Sequence, residues 1–297
     1  PDCRHQRRQA WRNESKLYKR TCDFSGKSIV SVFSPEKPFK VFNNPEWFSD
    51  KWSAFDYGRD FDFNRAFAPQ FRELMEKVPQ LSRSVINCEN SDYVNQCGFS
   101  KNCYLIFEAD YNRDCFYSNF IYESNTCMDC YQVQACELCY ETLDCRKCYH
   151  LRYSQDCDNC SDSWFLNSCI GCRNCFGCVN LRNKEYYFYN EPLSKEEYQT
   201  RIAGLGLDHR LNIQKAQELA EAIWKKYPKK YVHGTQNEDS TGDFLWNTQR
   251  CNDCFDLQDF QDCRYLTNCR HMKMVFDTTV FGSQGGAEFC YENHEIG

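Results

Sequence analysis

Residues 127–178 read CMDCYQVQACELCYETLDCRKCYHLRYSQDCDNCSDSWFLNSCIGCRNCFGC, and every cysteine in the stretch lies a multiple of three residues from every other. The phase reaches back through Cys115, Cys103, Cys97 and Cys88, while Cys251, Cys254, Cys263, Cys269 and Cys290 keep a common phase of their own. A period of three fits neither an amphipathic helix nor a half-buried strand. It fits short strands that meet at corners, where successive inward side chains fall about three residues apart and turns of constant length stack them into ladders. Cysteine is small and readily buried, so it suits a narrow interior. Aromatics follow many of the cysteines (Tyr104, Phe116, Tyr131, Tyr140, Tyr149, Phe176), as stacking requires. Corner-forming residues often precede them (Asn102, Asp114, Thr126, Asp144, Asp156, Asn174). Spacings of 12, 9 and 18 all recur, so the length of a turn stays open.

The expected fold is mainly β: a cysteine-ladder, β-helix-like β-solenoid in two duplicated blocks, with an N-terminal ribbon-like remnant and a helical insertion. Residues 1–60 form the basic and aromatic ribbon-like segment, and 61–82 a helix that caps the first turn. Residues 83–192 are the first block, 193–230 the insertion and 231–297 a second, shortened block. The duplication rests on Asp92 preceding Cys103 by eleven residues as Asp243 precedes Cys254, with Phe244 and Phe255 matching Tyr93 and Tyr104. Ser194 and Glu197 predict a capping box. Beyond it, Ile213, Ala216, Leu219, Ala220, Ile223, Trp224 and Tyr227 form one stripe that ends at Pro228, so the helix is expected to bury Leu219, Ile223 and Trp224 against the repeats.

Of 297 residues, 41% are hydrophobic and 16% aromatic, enough for a buried core, and no apolar run approaches a bilayer span. Twenty-three cysteines without a secretion cue suggest a reduced, cytoplasmic thiol ladder, although metal thiolates and disulfides fit the count as well. The sequence opens on Pro1 and not on methionine, so a longer native N-terminus is expected. Net charge is −6, yet residues 1–40 hold ten Lys/Arg against four Asp/Glu. Arg4, Arg7, Arg8, Arg12, Lys16, Lys19 and Arg20 are therefore candidate nucleic-acid contacts beside the simpler reading of a solvated basic face.

Zinc is the candidate cofactor. Pro1-Asp2-Cys3-Arg4 reads as the second half of a zinc knuckle with Cys3 as ligand, and Cys22 is a further candidate. Cys169, Cys172, Cys175 and Cys178 approach an iron–sulfur run, but Val179 stands where proline belongs and the ladder phase already explains their spacing. The six histidines lack H-E-x-x-H spacing, G-x-S-x-G is absent, and Gly204-Leu205-Gly206 has no dinucleotide context. The expectation is a non-catalytic scaffold that binds a protein or other macromolecule through its faces. The alternatives are a metal-thiolate protein and a nucleic-acid-associated protein.

Four stretches resemble a family of cysteine-rich proteins from uncultivated small-genome bacteria: CRHQRRQAWRNESKLYKRTCDFSGKSIVSVFSPEKPFKVF, FSDKWSAFDYGRDFDFNRAFAPQF, NCFGCVNLRNKEYYFYNEPLSKEEY and KYPKKYVHGTQNEDSTGDFLWN. The resemblance implies a zinc ribbon followed by Cys-aromatic repeats, and it brings no activity. It also implies cysteines in relatives where this chain has Ser25, Asn43 and Glu46, which would leave Cys22 without thiolate partners.

Overall fold

The computed structural model describes residues 15–264, which divide into two compact units at Tyr227 and Pro228; each is described by itself. In the larger unit, β1 (Tyr18–Thr21) and β2 (Ser28–Ser31) form an antiparallel hairpin. Cys22, Ile29 and Val41 bury beneath it, with Phe33 and Phe39 alongside. Strand β3 (Val41–Phe42) pairs in parallel with β4 (Gln80–Leu81). Between them lie the short helix α1 (Asn44–Trp47), a 3-10 turn at Ala54–Tyr57 and helix α2 (Phe67–Lys77). In α2, which falls within the expected capping segment, Phe67 and Phe71 stack on each other at 5.5 Å and stay exposed, and only Gln70 is buried. The i, i+4 spacing pairs these two rings with each other, which an exposed helix does as readily as a covered one.

Eight strands follow in one parallel sheet whose spatial order is the chain order: β5 (Val85–Ile86), β6 (Asn95–Gly98), β7 (Tyr104–Asp110), β8 (Phe116–Tyr122), β9 (Tyr131–Gln134), β10 (Tyr140–Arg146), β11 (Tyr149–Gln155) and β12 (Ser161–Trp164). Every pairing has the same offset: Val85 lies opposite Cys97, Ile106 opposite Ser118, Asn119 opposite Tyr131 and Tyr149 opposite Ser161. Isolated bridges carry the offset on to Arg173 with Glu185 and Phe176 with Phe188. The turn is therefore twelve residues long. A spacing of 9 steps back by one column of inward residues, and 18 crosses to the column diagonally opposite, which is why both recur in the sequence.

Every third residue from Gln96 to Tyr189 sits at φ between 47° and 67°. In this left-handed region an L-residue costs about 1–2 kcal/mol, least for Asn and Asp. Asn102, Asp114, Thr126, Asp144, Asp156 and Asn174, which precede cysteines, all occupy it. The residue after each corner points inward, so a turn has four inward positions. One column runs Ser91, Cys103, Cys115, Cys127, Cys139, Leu151, Ser163, Cys175, and another runs Cys97, Ala109, Ile121, Val133, Cys145, Cys157, Cys169; all are buried. Outside, the same offset stacks Lys101 on Glu89 at 2.8 Å, Asn102 on Asp114 at 2.9 Å and His150 on Asp162 at 3.1 Å.

The inward side chains also resolve a backbone problem. Where the N–H of an inward residue faces the interior, the residue one turn earlier accepts it. Ser91 Oγ accepts from Cys103 N at 2.9 Å, Ser118 Oγ from Cys130 N at 3.0 Å, Ser154 Oγ from Leu166 N at 2.9 Å and Asn112 Oδ1 from Ser124 N at 3.0 Å. Cysteine does the same: the N–H of Asn190 donates to Cys178 Sγ at 3.5 Å. The sulfurs of Cys103, Cys115, Cys136, Cys145, Cys160 and Cys172 likewise accept from the residue twelve on. Each thiol in turn donates to carbonyls, as Cys127 does to Asn125 O at 3.5 Å and Cys136 O at 3.6 Å.

After β13 (Tyr187–Phe188) and β14 (Glu191–Pro192) the parallel pairing ends. The capping box is present, with Ser194 Oγ accepting from Glu197 N at 3.2 Å and Glu197 Oε2 from Ser194 N at 3.1 Å. It opens α3 (Lys195–Gly204), and α4 (Arg210–Trp224) follows.

The second unit holds β15 (Gly234–Thr235), β16 (Gly242–Gln249) and β17 (Cys254–Gln261), again parallel. Strand β16 pairs with β17 at an offset of twelve, as Leu245 with Leu257. Leu245, Thr248, Cys251, Cys254, Leu257, Phe260 and Cys263 are buried at intervals of three. Ser240 Oγ accepts from Cys251 N at 3.2 Å, the same kind of bond as in the larger unit.

Ser154 is buried, accepts from Leu166 N and donates to Arg152 O at 2.8 Å. Ser154→Ala removes the acceptor and should cost about 1–3 kcal/mol in urea unfolding, whereas Ser154→Cys should cost less. Equal stability of the alanine and cysteine variants would contradict the role given to the inward acceptor.

Candidate interaction face and thiol ladder

The structure gathers two sets of side chains: thiols inside the turns and aromatics outside them, with a long run on one face and smaller groups such as Phe99 with Tyr111 and Phe120 with Tyr131 on others. Every described cysteine is an unbridged thiol, and all but Cys88 are buried. Sulfur-to-sulfur hydrogen bonds link Cys103, Cys115, Cys127 and Cys139 up one column and Cys136 with Cys148 and Cys160 with Cys172 up a neighbouring one, while others pass sideways between thiols three residues apart, as from Cys127 to Cys130. Hydrogen bonding to Cys115, together with burial, pushes the Cys103 thiol far up. Burial, then the bonds to Cys145 and Cys160, does the same to Cys157. Raised and buried, Cys103 and Cys157 are inert as nucleophiles, whereas Cys136 and Cys145 are held down to about 4 and about 6 and are withheld by burial alone.

Cys169, Cys172, Cys175 and Cys178 occupy the four inward positions of a single turn, so the sequence signal did bring them together. Each donates to backbone carbonyls: Cys169 to Asn167 O at 3.4 Å, Cys172 to Ile170 O at 3.5 Å, Cys175 to Arg173 O at 3.3 Å and Cys178 to Phe176 O at 3.3 Å. The same contact to the carbonyl two residues back recurs along the ladder, as Cys145 makes to Leu143 O at 3.2 Å, so it does not set these four apart. Among the described residues no group of three or more His, Cys, Asp or Glu is placed to hold a metal.

Cys22 opens the turn between β1 and β2, where Gly26 adopts φ 72° and donates to Cys22 O at 2.9 Å. Asn43 N donates to the sulfur at 3.4 Å. Burial raises this thiol, but the Ser25 hydroxyl and the N–H groups of Ser25, Asn43 and Phe24 outweigh it and hold it below the usual range. The turn thus brings Cys22, Ser25 and Asn43 together. With one thiol among them, the set does not fit zinc. Cys3, Arg4, Arg7, Arg8 and Arg12 lie outside the described residues. Arg20 is not free to contact a phosphate: it pairs with Asp23 at 3.1 Å and donates to Phe39 O at 3.1 Å, and its side chain is 8% exposed. Lys16 lies over Tyr18 and Lys19 over Tyr93.

The aromatic face occupies the two outward columns that begin at Asp92 and Tyr93. Rings meet at 5.4 Å between Tyr93 and Tyr104, 5.4 Å between Tyr140 and Tyr153, 5.1 Å between Tyr153 and Phe165, and 5.4 Å between Phe176 and Phe188. Helices α3 and α4 cover one end. Phe165, Phe176, Phe188, Tyr198, Ala216 and Ala220 form a closed cluster, flanked by Tyr153, Trp164, Tyr189, Ile213 and Trp224. Gly177 (φ 67°) makes this possible, since a Cβ there would stand 2.2 Å from Tyr189 Cδ1. Burial moves the Tyr189 hydroxyl up to about 12, and that hydroxyl donates to Ala216 O at 3.4 Å. The expected helix stripe needs correction here: α4 approaches through Ile213, Ala216, Ala220 and Trp224, while Leu219 is 50% exposed. The two alanines bring the helix closest to the rings, which turns Leu219 outward.

The other end of the face is open. Tyr104, Phe116, Tyr117 and Met128 are between 37% and 53% exposed. A depression of about 470 Å³ lies between Tyr93, Tyr104 and Phe116, with Asn90, Asp92 and Asn102 along its side. Asp129 and Glu141, in the same columns, are exposed. The aromatics after each cysteine were legible in the sequence. That only part of them is covered was not, because it depends on where α4 lies. No family model matches the sequence, and no curated protein matches it. Among the described residues no helix is long and apolar enough to cross a membrane.

Phe176→Ala, in the covered part, should lower stability by about 3–5 kcal/mol, whereas Tyr104→Ala, in the open part, should change it by about 0.5 kcal/mol or less. Chemical denaturation of the two variants measures the difference, and similar losses would contradict the division of the face.

Proposed function

We propose that the protein is a non-catalytic β-solenoid scaffold, its second unit a shorter duplicate of the first block, that holds a protein partner on the open part of its aromatic face. The observation that carries this reading is that one face is covered by the chain's own amphipathic helix along Phe165, Phe176 and Phe188 and left bare along Tyr104, Phe116 and Met128. A contiguous exposed apolar patch rimmed by polar groups marks an interaction site. Helix α4 supplies the template for its occupant: an amphipathic helix whose small residues approach the rings and whose larger apolar residues settle beside them. The depression at Tyr93, Tyr104 and Phe116 accommodates one anchoring side chain. Asp92, Asp129 and Glu141 favour a partner with basic residues flanking its apolar stripe, and the same carboxylates disfavour a nucleic acid on this face.

A photo-crosslinking amino acid placed at Tyr117 should yield a discrete adduct in cells, and Phe116→Glu should abolish it. The same group at Lys147, which lies on the column of Phe99 and Glu123, should yield none. Equal adduct patterns from both positions, or none from Tyr117, would contradict the reading.

A further inference from the structure

Cys88 differs from every other described cysteine: it is the one that is not buried. It follows β5, the edge strand of the eight-stranded sheet. Its Sγ lies 3.6 Å from Cys97 Sγ, across a separation of nine residues. Arg83 stands beside the pair, anchored by donation to Asp92 O and to Val94 O at 3.1 Å, and its charge acts on both sulfurs. Like the deeper thiols, Cys88 also lies within reach of main-chain carbonyls, Ile86 O at 3.5 Å and Cys97 O at 3.4 Å, as Cys136 does of Cys145 O; what sets it apart is its exposure and the neighbouring cation.

We propose that Cys88 and Cys97 form an oxidisable dithiol at the β5 end of the ladder, with Cys88 as the attacking sulfur, Cys97 as the resolving one and hydroperoxides as the substrate class. Three conditions for such a site meet here and nowhere else among the described residues: an accessible sulfur, a second sulfur within reach, and a fixed cation beside them. The hydrogen bond shared with Cys97 outweighs burial, and the N–H of Ser100 and the charge of Arg83 act in the same direction against Asp110, so Cys88 falls to about 7. Cys97, bonded to Cys88 and more deeply buried, is pushed far up and keeps its proton until the second step.

In the first step the Cys88 thiolate attacks the distal peroxide oxygen. The O–O bond breaks, a sulfenic acid forms on Cys88, and the departing hydroxide or alkoxide takes a proton. In the second, Cys97 loses its proton and attacks Cys88 Sγ, the S–O bond breaks and water leaves. Two thiols become one disulfide and the peroxide is reduced to two waters, or to water and an alcohol. The sulfurs must close from 3.6 Å to about 2.0 Å.

The test treats the full chain with stoichiometric hydrogen peroxide, blocks the remaining thiols and maps peptides by mass spectrometry. The first product should be a Cys88/Cys97 disulfide that dithiothreitol reverses. Cys88→Ser should abolish it, and Cys97→Ser should stop the reaction at a Cys88 sulfenic acid that dimedone captures. On the unsubstituted protein, Cys88 should alkylate at neutral pH on the order of tenfold or more faster than the buried ladder thiols, with the rate rising through a midpoint near 7. Arg83→Gln should move that midpoint upward. A first disulfide elsewhere in the chain, or native alkylation of Cys88 no faster than that of the ladder, would overturn the proposal.

Discussion

The fold depends on what the inward amide groups donate to. A chain that turns at a left-handed corner every third residue points one N–H in three toward an interior too narrow for water, and a buried amide without an acceptor costs about 1–3 kcal/mol. The side chain stacked one turn below is the nearest acceptor. It must be short enough to fit beside three others and must carry a lone pair. Serine, asparagine and cysteine meet both conditions, while leucine and valine meet only the first in part. Cysteine adds the apolar character of a small hydrophobe, so it fills the core and accepts the bond at once. Cysteine is thus one of three residue types that answer the backbone's need, beside inward positions such as Ala109, Ile121, Val133 and Leu151 that carry no acceptor.

This constraint explains which parts were legible in the sequence. The period of three was visible because corners and inward residues alternate with it, and Asn102, Asp114 and Asp156 marked the corners correctly. The inward serines at 91, 118, 154 and 163 keep the same phase and could have been found by it; attention to sulfur alone passed over them. The length of the turn was not legible, since 9, 12 and 18 are all multiples of three and only the pairing of Ile106 with Ser118 and its equivalents selects one. Helix α4 shows a different limit. Its apolar residues were identified from periodicity, but the contact runs through Ala216 and Ala220, and periodicity does not say which flank of a wide stripe meets the rings.

The same rule separates two kinds of cysteine. Within the ladder the sulfurs are buried and bonded to the backbone and to neighbouring thiols, out of reach of solvent. Where the ladder begins, Cys88 is partly exposed and sits beside Arg83, and there the chemistry of the thiol changes while its place in the register does not. The aromatic face behaves similarly: its columns are continuous, and its character depends on whether α3 and α4 lie over them.

A count of free thiols tests the central claim most directly. Protein prepared without reductant and unfolded in the presence of an alkylating reagent should show the ladder cysteines between Cys103 and Cys178 modified one by one as free thiols. If fewer than half of them are free, the sulfurs are bridged to one another, and hydrogen bonding to the backbone is not what places cysteine in this chain.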